Sequence, residues 1–213
     1  MKFMAPDYNC NLCERLCKFR NDNKIKFPTY YNGPVPSFGS IDAEVLVVGL
    51  APGLNGANQT GRPFTNDYAG DVLYPILKDL GFAKGEYKKV KDDGYELINV
   101  RITNAVRCVP PQNKPTTDEE KKCREFLRNE INDMKKLKVI LSLGVVSHKN
   151  VLSALNIKQS TAKFSHGKVY QLENGIKLID SYHTSRYNIN TGVLTYQMFE
   201  EIIKQIKRLL EDK

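Results

Sequence analysis

The sequence predicts a three-layer αβα sandwich built on a central, mostly parallel four-stranded sheet. Three observations predict it. Short continuous apolar runs, EVLVVGL at 44–50 and VILSL at 139–143, have the pattern of strands buried on both faces. They alternate with helix-length segments of ten or more residues, the spacing of right-handed crossovers. Polar, Gly- or Asn-rich stretches at 49–67, 103–108 and 181–188 each follow such a run. Loops of this kind at the carboxyl ends of parallel strands converge on one crevice.

In chain order, 44–50 is the first strand. A helix over 71–80 places Val72, Leu73, Ile76, Leu77 and Leu80 on one face and stops at Gly81. The next strand covers 96–106. Thr117 and Glu120, at capping-box spacing just after Pro115, announce a helix over 117–136. A strand at 139–143, a helix at 145–155, a strand at 176–181 and a closing amphipathic helix at 194–210 complete the alternation. Residues 1–40, punctuated by Gly33, Pro34, Pro36 and Gly39, read as an extended lead-in, and 84–95 as a polar insertion. With 213 residues, 41% of them hydrophobic, the chain is expected to form one domain over 1–213.

The net charge of +8 points to an acidic partner, with nucleic acid foremost, because Lys and Arg gain affinity by releasing counterions from phosphates. No run approaches the roughly 20 apolar residues that span a bilayer. The start, MKFMAPDYNCN, lacks the apolar core of a signal peptide. A cytoplasmic, reducing location is therefore expected, in which the five cysteines do not form structural disulfides. Cys10 and Cys13 have a two-residue gap, and Cys108 and Cys123 are separated by fourteen residues. Four thiolates from two distant segments suit tetrahedral zinc or an iron-sulfur cluster, with Cys17 as a competing ligand.

In the first loop, Gly49, Gly53, Gly56 and Gly61 allow backbone amides to approach a phosphate or a base carbonyl. The glycine spacing fits neither a Walker loop nor the dinucleotide fingerprint, which argues against a nucleoside triphosphate site. Arg62, Phe64 and Asp67 add a cation, a stacking ring and a carboxylate. In the last loop, His183 is placed to donate to developing negative charge, with Ser185, Arg186 and Asn188 beside it to grip phosphates. His148 and His166 receive no role.

GLAPG with GANQTGRPFTND, TNAVRCVPPQNKP and SYHTSRYN resemble, in this order, the three motifs of the uracil-DNA glycosylase superfamily, specifically the family 5 (B-type) enzymes of prokaryotes. The CxxC and the later cysteine pair are similar to those that hold a [4Fe-4S] cluster in its iron-sulfur members. The resemblance covers nearly the whole chain. It implies a DNA repair enzyme that flips a deaminated base out of double- or single-stranded DNA and hydrolyses its N-glycosidic bond, leaving an abasic site. Uracil is the first substrate, with hypoxanthine or xanthine as further ones. It also implies a [4Fe-4S] cluster on Cys10, Cys13, Cys108 and Cys123, with Cys17 as a bystander. In this reading Phe64 stacks on the flipped base and backbone amides of the Gly53 to Gly56 region meet its carbonyls. Asn104 hydrogen-bonds the base or the water, His183 stabilises the departing base, and Asp67 orients water or stabilises the cationic sugar. Asn55 is the alternative to Asp67, Ser185 belongs to the substrate site, and Arg107, Arg186 and Tyr187 contact DNA.

The chain departs from the family pattern at three places. Thr184 stands where Pro usually follows the His, so a more mobile loop is expected. Gln59 stands for a frequent Arg and Asn66 for a frequent Gly. No lysine is placed as a Schiff-base nucleophile, so a monofunctional enzyme is expected, active as a monomer; a replication-clamp partner is left open. A non-catalytic iron-sulfur protein that binds nucleic acid or carries electrons would share the charge and the cysteines. It would have no need for Asp67, Asn104 and His183 to converge.

Overall fold

The computed structural model describes residues 5–173 and 175–211. In chain order its elements are α1 (Glu14–Lys26), β1 (Val45–Gly49), α2 (Ala57–Thr60), α3 (Tyr68–Asp79), β2 (Ala83–Lys84), β3 (Glu96–Leu97), β4 (Val100–Asn104), α4 (Thr117–Asp133), β5 (Val139–Leu143), α5 (Val145–Ala154), β6 (Val169–Gln171), β7 (Lys177–Ser181), α6 (Arg186–Asn190) and α7 (Tyr196–Glu211). A 3-10 turn, Pro111–Asn113, precedes α4.

The central sheet has five strands in the order β4-β1-β5-β7-β6, not the four expected. Four are parallel, and β6 joins antiparallel to β7 at the edge. The three half-exposed residues of β6 carry too little apolar signal to announce a strand. Along each parallel strand, side chains alternate between two cores. Val45, Val47 and Leu141 pack with Val72 and Leu73 of α3 and Phe199 and Ile202 of α7. Leu46, Val48 and Ile140 pack with Leu127 and Ile131 of α4 and Val151 and Leu152 of α5. Helices thus cover both faces, and this is why β1, β4 and β5 are buried at every position.

Four further boundaries differ from the sequence reading. The lead-in contains the 13-residue helix α1, which is hidden because it is polar nearly all round and buries only Leu16, Arg20 and Asn23. The strand expected over 96–106 breaks at Asn99, whose φ is 57°; its first part pairs with β2 in a separate ribbon. Helix α3 begins three residues early because Asp67 caps it. The capping box of α4 is one residue earlier, with Thr116 accepting from the Glu119 amide at 3.3 Å and Glu119 accepting from the Thr116 amide at 2.8 Å.

Candidate active site

The registers Gly49↔Asn104 and Leu143↔Ser181 end the parallel strands at one level, so the loops after β1, β4 and β7 emerge side by side. They enclose a cavity of about 370 Å³ lined by Gly53, Phe64, Asp67, Asn104, His183, Ser185 and Arg186, among others. All three predicted catalytic residues line this wall.

The loop after β1 brings Phe64 in over the strand end. A Cβ at Gly49 would lie 2.4 Å from Asn104 Oδ1 and 2.5 Å from the Phe64 ring, so the bare backbone at this position is what lets the two side chains meet above it. The Phe64 ring is only 5% exposed and serves both as core and as cavity wall. It stacks on the His183 imidazole with centroids 6.1 Å apart and planes 30° apart. The Asn104 side chain is 3% exposed and has no hydrogen-bond partner among the described residues, so its amide is available to a ligand in the cavity.

Asp67 ends the loop as the N-cap of α3, with Oδ1 accepting from the Gly70 amide at 2.9 Å. Burial raises its pKa, partly countered by that hydrogen bond, and Asp71 nearby adds to the rise. The carboxylate is therefore held in a poorly solvated place where an adjacent positive charge is felt strongly. Burial pushes the His183 imidazole down to about 4, so the ring is neutral at pH 7 and presents one N–H and one acceptor. Its only hydrogen bond among the described residues is through the backbone, where its carbonyl accepts from Asn188 Nδ2 at 2.8 Å.

Thr184 does not loosen this loop. Its buried hydroxyl donates to the Ala69 carbonyl at 3.3 Å and ties the last motif to the first turn of α3, doing by a tether what proline would do by a fixed dihedral. Ser185 caps α6, accepting from the Asn188 amide at 3.3 Å. Arg186 rests over the Tyr68 ring at 5.3 Å, and Tyr187 is 72% exposed at the rim.

Three expected site positions are placed differently. Arg107 is only 1% exposed, with Nη2 donating to Glu130 at 2.5 Å and Nη1 to Ser37 at 2.8 Å, so it presents no charge to DNA. Asn55 is exposed outside the cavity wall and accepts from the Tyr30 hydroxyl at 3.3 Å. The Gly56 amide donates to the Gly53 carbonyl at 3.3 Å, which leaves Gly53 rather than Gly56 facing the cavity.

Residues 36–207 match the family model described as the uracil DNA glycosylase superfamily. The chain belongs to the uracil-DNA glycosylase superfamily. It is 38% identical over 205 residues to the type-5 uracil-DNA glycosylase of Thermus thermophilus, covering 94% of this chain and 93% of that one. It is also 38% identical over 201 residues to the type-5 uracil-DNA glycosylase of Pyrobaculum aerophilum, covering 92% and 87%. Similarity to a type-4 uracil-DNA glycosylase of the latter organism is lower, 31% over 153 residues and 71% of this chain.

The superfamily match begins after Cys10 and Cys13, so the N-terminal thiols of this glycosylase lie outside it. In space all five cysteines line one apolar cavity between α1, the chain after β4, and α4. Cys13, Cys108 and Cys123 also belong to a small core with Leu16, Val106 and Phe126. Among the described residues no three His, Cys, Asp or Glu side chains form a group that could hold a single metal ion. Arg20 reaches Cys108 Sγ at 3.6 Å and the Arg107 amide reaches Cys123 Sγ at 3.3 Å, donors suited to sulfur that carries negative charge. Burial pushes the Cys13 thiol up to about 11 and the Cys108 thiol up to about 12, with Cys123 raising both, a balance that a cationic centre between them reverses. Cys17 instead donates to the Cys10 carbonyl at 3.2 Å.

Two features of this glycosylase escaped the sequence reading. Asn113, in the turn before α4, lines the cavity; it stands inside the middle motif, where no role was assigned to it. His148 is buried between two acceptors, Asp180 Oδ1 at 2.8 Å and the Ala162 carbonyl at 2.9 Å. Bonding both requires the doubly protonated ring; burial alone would lower its pKa, and these two hydrogen bonds raise it. The pair anchors the end of β7, three residues before His183.

Proposed function

We propose that this chain is a DNA-repair glycosylase that removes uracil from DNA by hydrolysing the N-glycosidic bond. The observation that carries the reading is the meeting of Asp67, Asn104, His183 and the Phe64 ring in one cavity at the strand ends. A flipped base enters this cavity and stacks on Phe64, and the Asn104 amide satisfies its polar edge. As the bond to the sugar breaks, positive charge grows on the sugar and negative charge on the base oxygen. Neutral His183 donates to that oxygen without first having to lose a proton. Asp67 faces the sugar, where its carboxylate stabilises the cation and orients the attacking water, with Asn113 as a further amide for that water. A cavity of about 370 Å³ leaves room for a purine, which supports hypoxanthine and xanthine as additional substrates.

The test is release of base from labelled duplex and single-stranded DNA carrying one uracil, hypoxanthine or xanthine, read by strand cleavage at the resulting abasic site. Uracil release is the expected result; its absence from a preparation with an intact metal centre favours the non-catalytic alternative. Arg186 and Tyr187 at the rim meet the DNA in this reading. Binding to a uracil duplex is therefore expected to weaken steeply as salt rises, and an affinity indifferent to salt rejects phosphate contacts.

The N-terminal thiols and the pair around α4 would hold a [4Fe-4S] cluster through Cys10, Cys13, Cys108 and Cys123. Such a centre supplies a cross-link between α1 and the chain after β4. Cys108→Ser is expected to lose iron and acid-labile sulfide together with thermal stability, whereas Cys17→Ser keeps both. Metal analysis and a melting curve on each variant check this, and equal losses from the two variants reject the ligand set.

A further inference from the structure

The 84–95 insertion lies outside the alternating fold pattern, yet it is built against the loop that carries Phe64 and Asp67. Asp93 takes the guanidinium fork of Arg62, with both contacts at 2.8 Å, and the Lys91 carbonyl accepts from the same group at 3.2 Å. The fork lies over the rings of Phe38, Tyr74 and Tyr87 at 5.0, 5.3 and 5.8 Å. Arg62 Nε then donates to Thr65 Oγ1 at 2.7 Å, inside the turn between Phe64 and Asp67.

That turn is conformationally costly. Phe64 and Asn66 have φ of 54° and 62°, a left-handed region that side chains other than glycine seldom adopt. Backbone held in this way persists only where its surroundings over-determine it. The Tyr87 hydroxyl does so from one side, accepting from the Asn66 amide at 3.1 Å and donating to the Phe64 carbonyl at 3.3 Å. From the other side, Asn66 Nδ2 donates to the Asn55 carbonyl at 2.9 Å and to Gln59 Oε1 at 3.0 Å, so two departures from the family pattern are partners of one another. Helix α3 leaves room for the arrangement: a Cβ at Gly70 would fall 1.7 Å from the Phe64 carbonyl oxygen and 2.8 Å from the Tyr87 hydroxyl.

We infer that Tyr87 is a positioning residue for cleavage of the glycosidic bond, its hydroxyl fixing the turn so that the Phe64 ring and the Asp67 carboxylate address the same bound base. The inference rests on the glycosylase reading above. Tyr87 itself does not line the cavity, and its effect passes through the two backbone groups it holds. Burial keeps its hydroxyl protonated at every working pH.

The experiment is single-turnover release of uracil from a labelled duplex, with enzyme in excess, by the wild type, Tyr87→Phe, Phe64→Ala and the double variant. Tyr87→Phe keeps the ring, whose centroid is 4.5 Å from that of Tyr74, and removes only the hydroxyl. Its maximal rate is expected to fall about ten-fold, with half-saturation changed less than about two-fold. In the Phe64→Ala background the same change is expected to cost clearly less than in the wild type, because one of the two groups being positioned is gone and only Asp67 remains. An unchanged maximal rate in Tyr87→Phe, or the same factor lost in both backgrounds, overturns the inference. An active wild type beside an equally active Tyr87→Phe rejects the positioning role alone. A wild type that releases no uracil rejects the glycosylase reading and this inference with it.

Discussion

Asp67→Asn is expected to lower the rate of uracil release by about 100- to 1000-fold while leaving the protein almost as stable as the wild type. The two halves of this expectation come from the two oxygens of one side chain. Oδ1 caps α3 through the Gly70 amide at 2.9 Å, and asparagine caps a helix about as well as aspartate. The negative charge beside the developing sugar cation is what the substitution removes. Asp67→Ala loses both, so it should match the rate defect and also cost about 1 kcal/mol of stability. A rate in Asp67→Asn within a few-fold of wild type would reassign the role, with Asn113 the next amide or acid on the wall.

The pH profile follows with a definite sign. Burial raises the Asp67 pKa, so its active carboxylate is lost at a higher pH than an ordinary aspartate's as the solution is acidified. His183 has a depressed pKa of about 4, so it stays in its neutral form down to about that pH. The rate should fall on the acid side only, at a pH above the ordinary aspartate range, and His183 should add no step at the ordinary histidine pKa near 6.5. A decline through pH 6.5 on acidification that persists in Asp67→Asn would place His183 in water rather than in a desolvated wall.

Glu130→Ala is expected to destabilise the protein by about 3–5 kcal/mol, the largest effect on folding of any single change considered, and to lower Tm by about 10 °C or more. Glu130 is fully buried under α4 and accepts from Arg101 Nε at 2.5 Å and from Arg107 Nη2 at 2.5 Å. Among the described residues Arg107 Nε is already without a hydrogen-bond partner, so loss of the carboxylate leaves this guanidinium still further from satisfied in a buried site. The exposed pair Lys122–Asp118, at 45% and 67% side-chain exposure, is the natural comparison; breaking it should leave the urea midpoint almost unchanged. Burial alone would raise the Glu130 pKa, but Arg107 and Arg101 hold it below its ordinary 4.5. A depressed folded-state pKa means that this stability is fully present above pH 4.5 and is lost as the pH falls below that value. Urea titration of wild type and Glu130→Ala at pH 7 and pH 3 reads both effects: the difference at pH 7 should shrink at pH 3.

Glu130 also explains where sequence reading stops. Arg107 stands in the middle motif beside Cys108, and nothing local separates it from a cation on the DNA face. Its partner lies 23 residues further on, on a helix that only packing places above it. Tyr87 escaped for the same reason, since no neighbour in sequence marks it, and Asn113 because its place in the middle motif does not by itself show that it turns toward the cavity. Phe64, Asp67, Asn104 and His183 were legible because the stretches that contain them resemble the motifs of the family, and because the parallel sheet brings its strand ends and the loops after them together. The helix α1 and the edge strand β6 were not, one being polar nearly all round and the other three residues long.

The sequence by itself determined the alternation of strands and helices, the layered architecture, the three loops of the cavity and the family to which the chain belongs. These follow from local periodicity and from residue types at fixed spacing, which survive without knowledge of distant neighbours. Tertiary structure decided which charges face water, that His183 is neutral and Asp67 poorly solvated, that Arg107 is a structural cation, and that a remote insertion reaches the catalytic turn. Each of these depends on burial and on partners far along the chain, and the free energy of a charge or an unpaired polar group is set by that environment rather than by the residue that carries it.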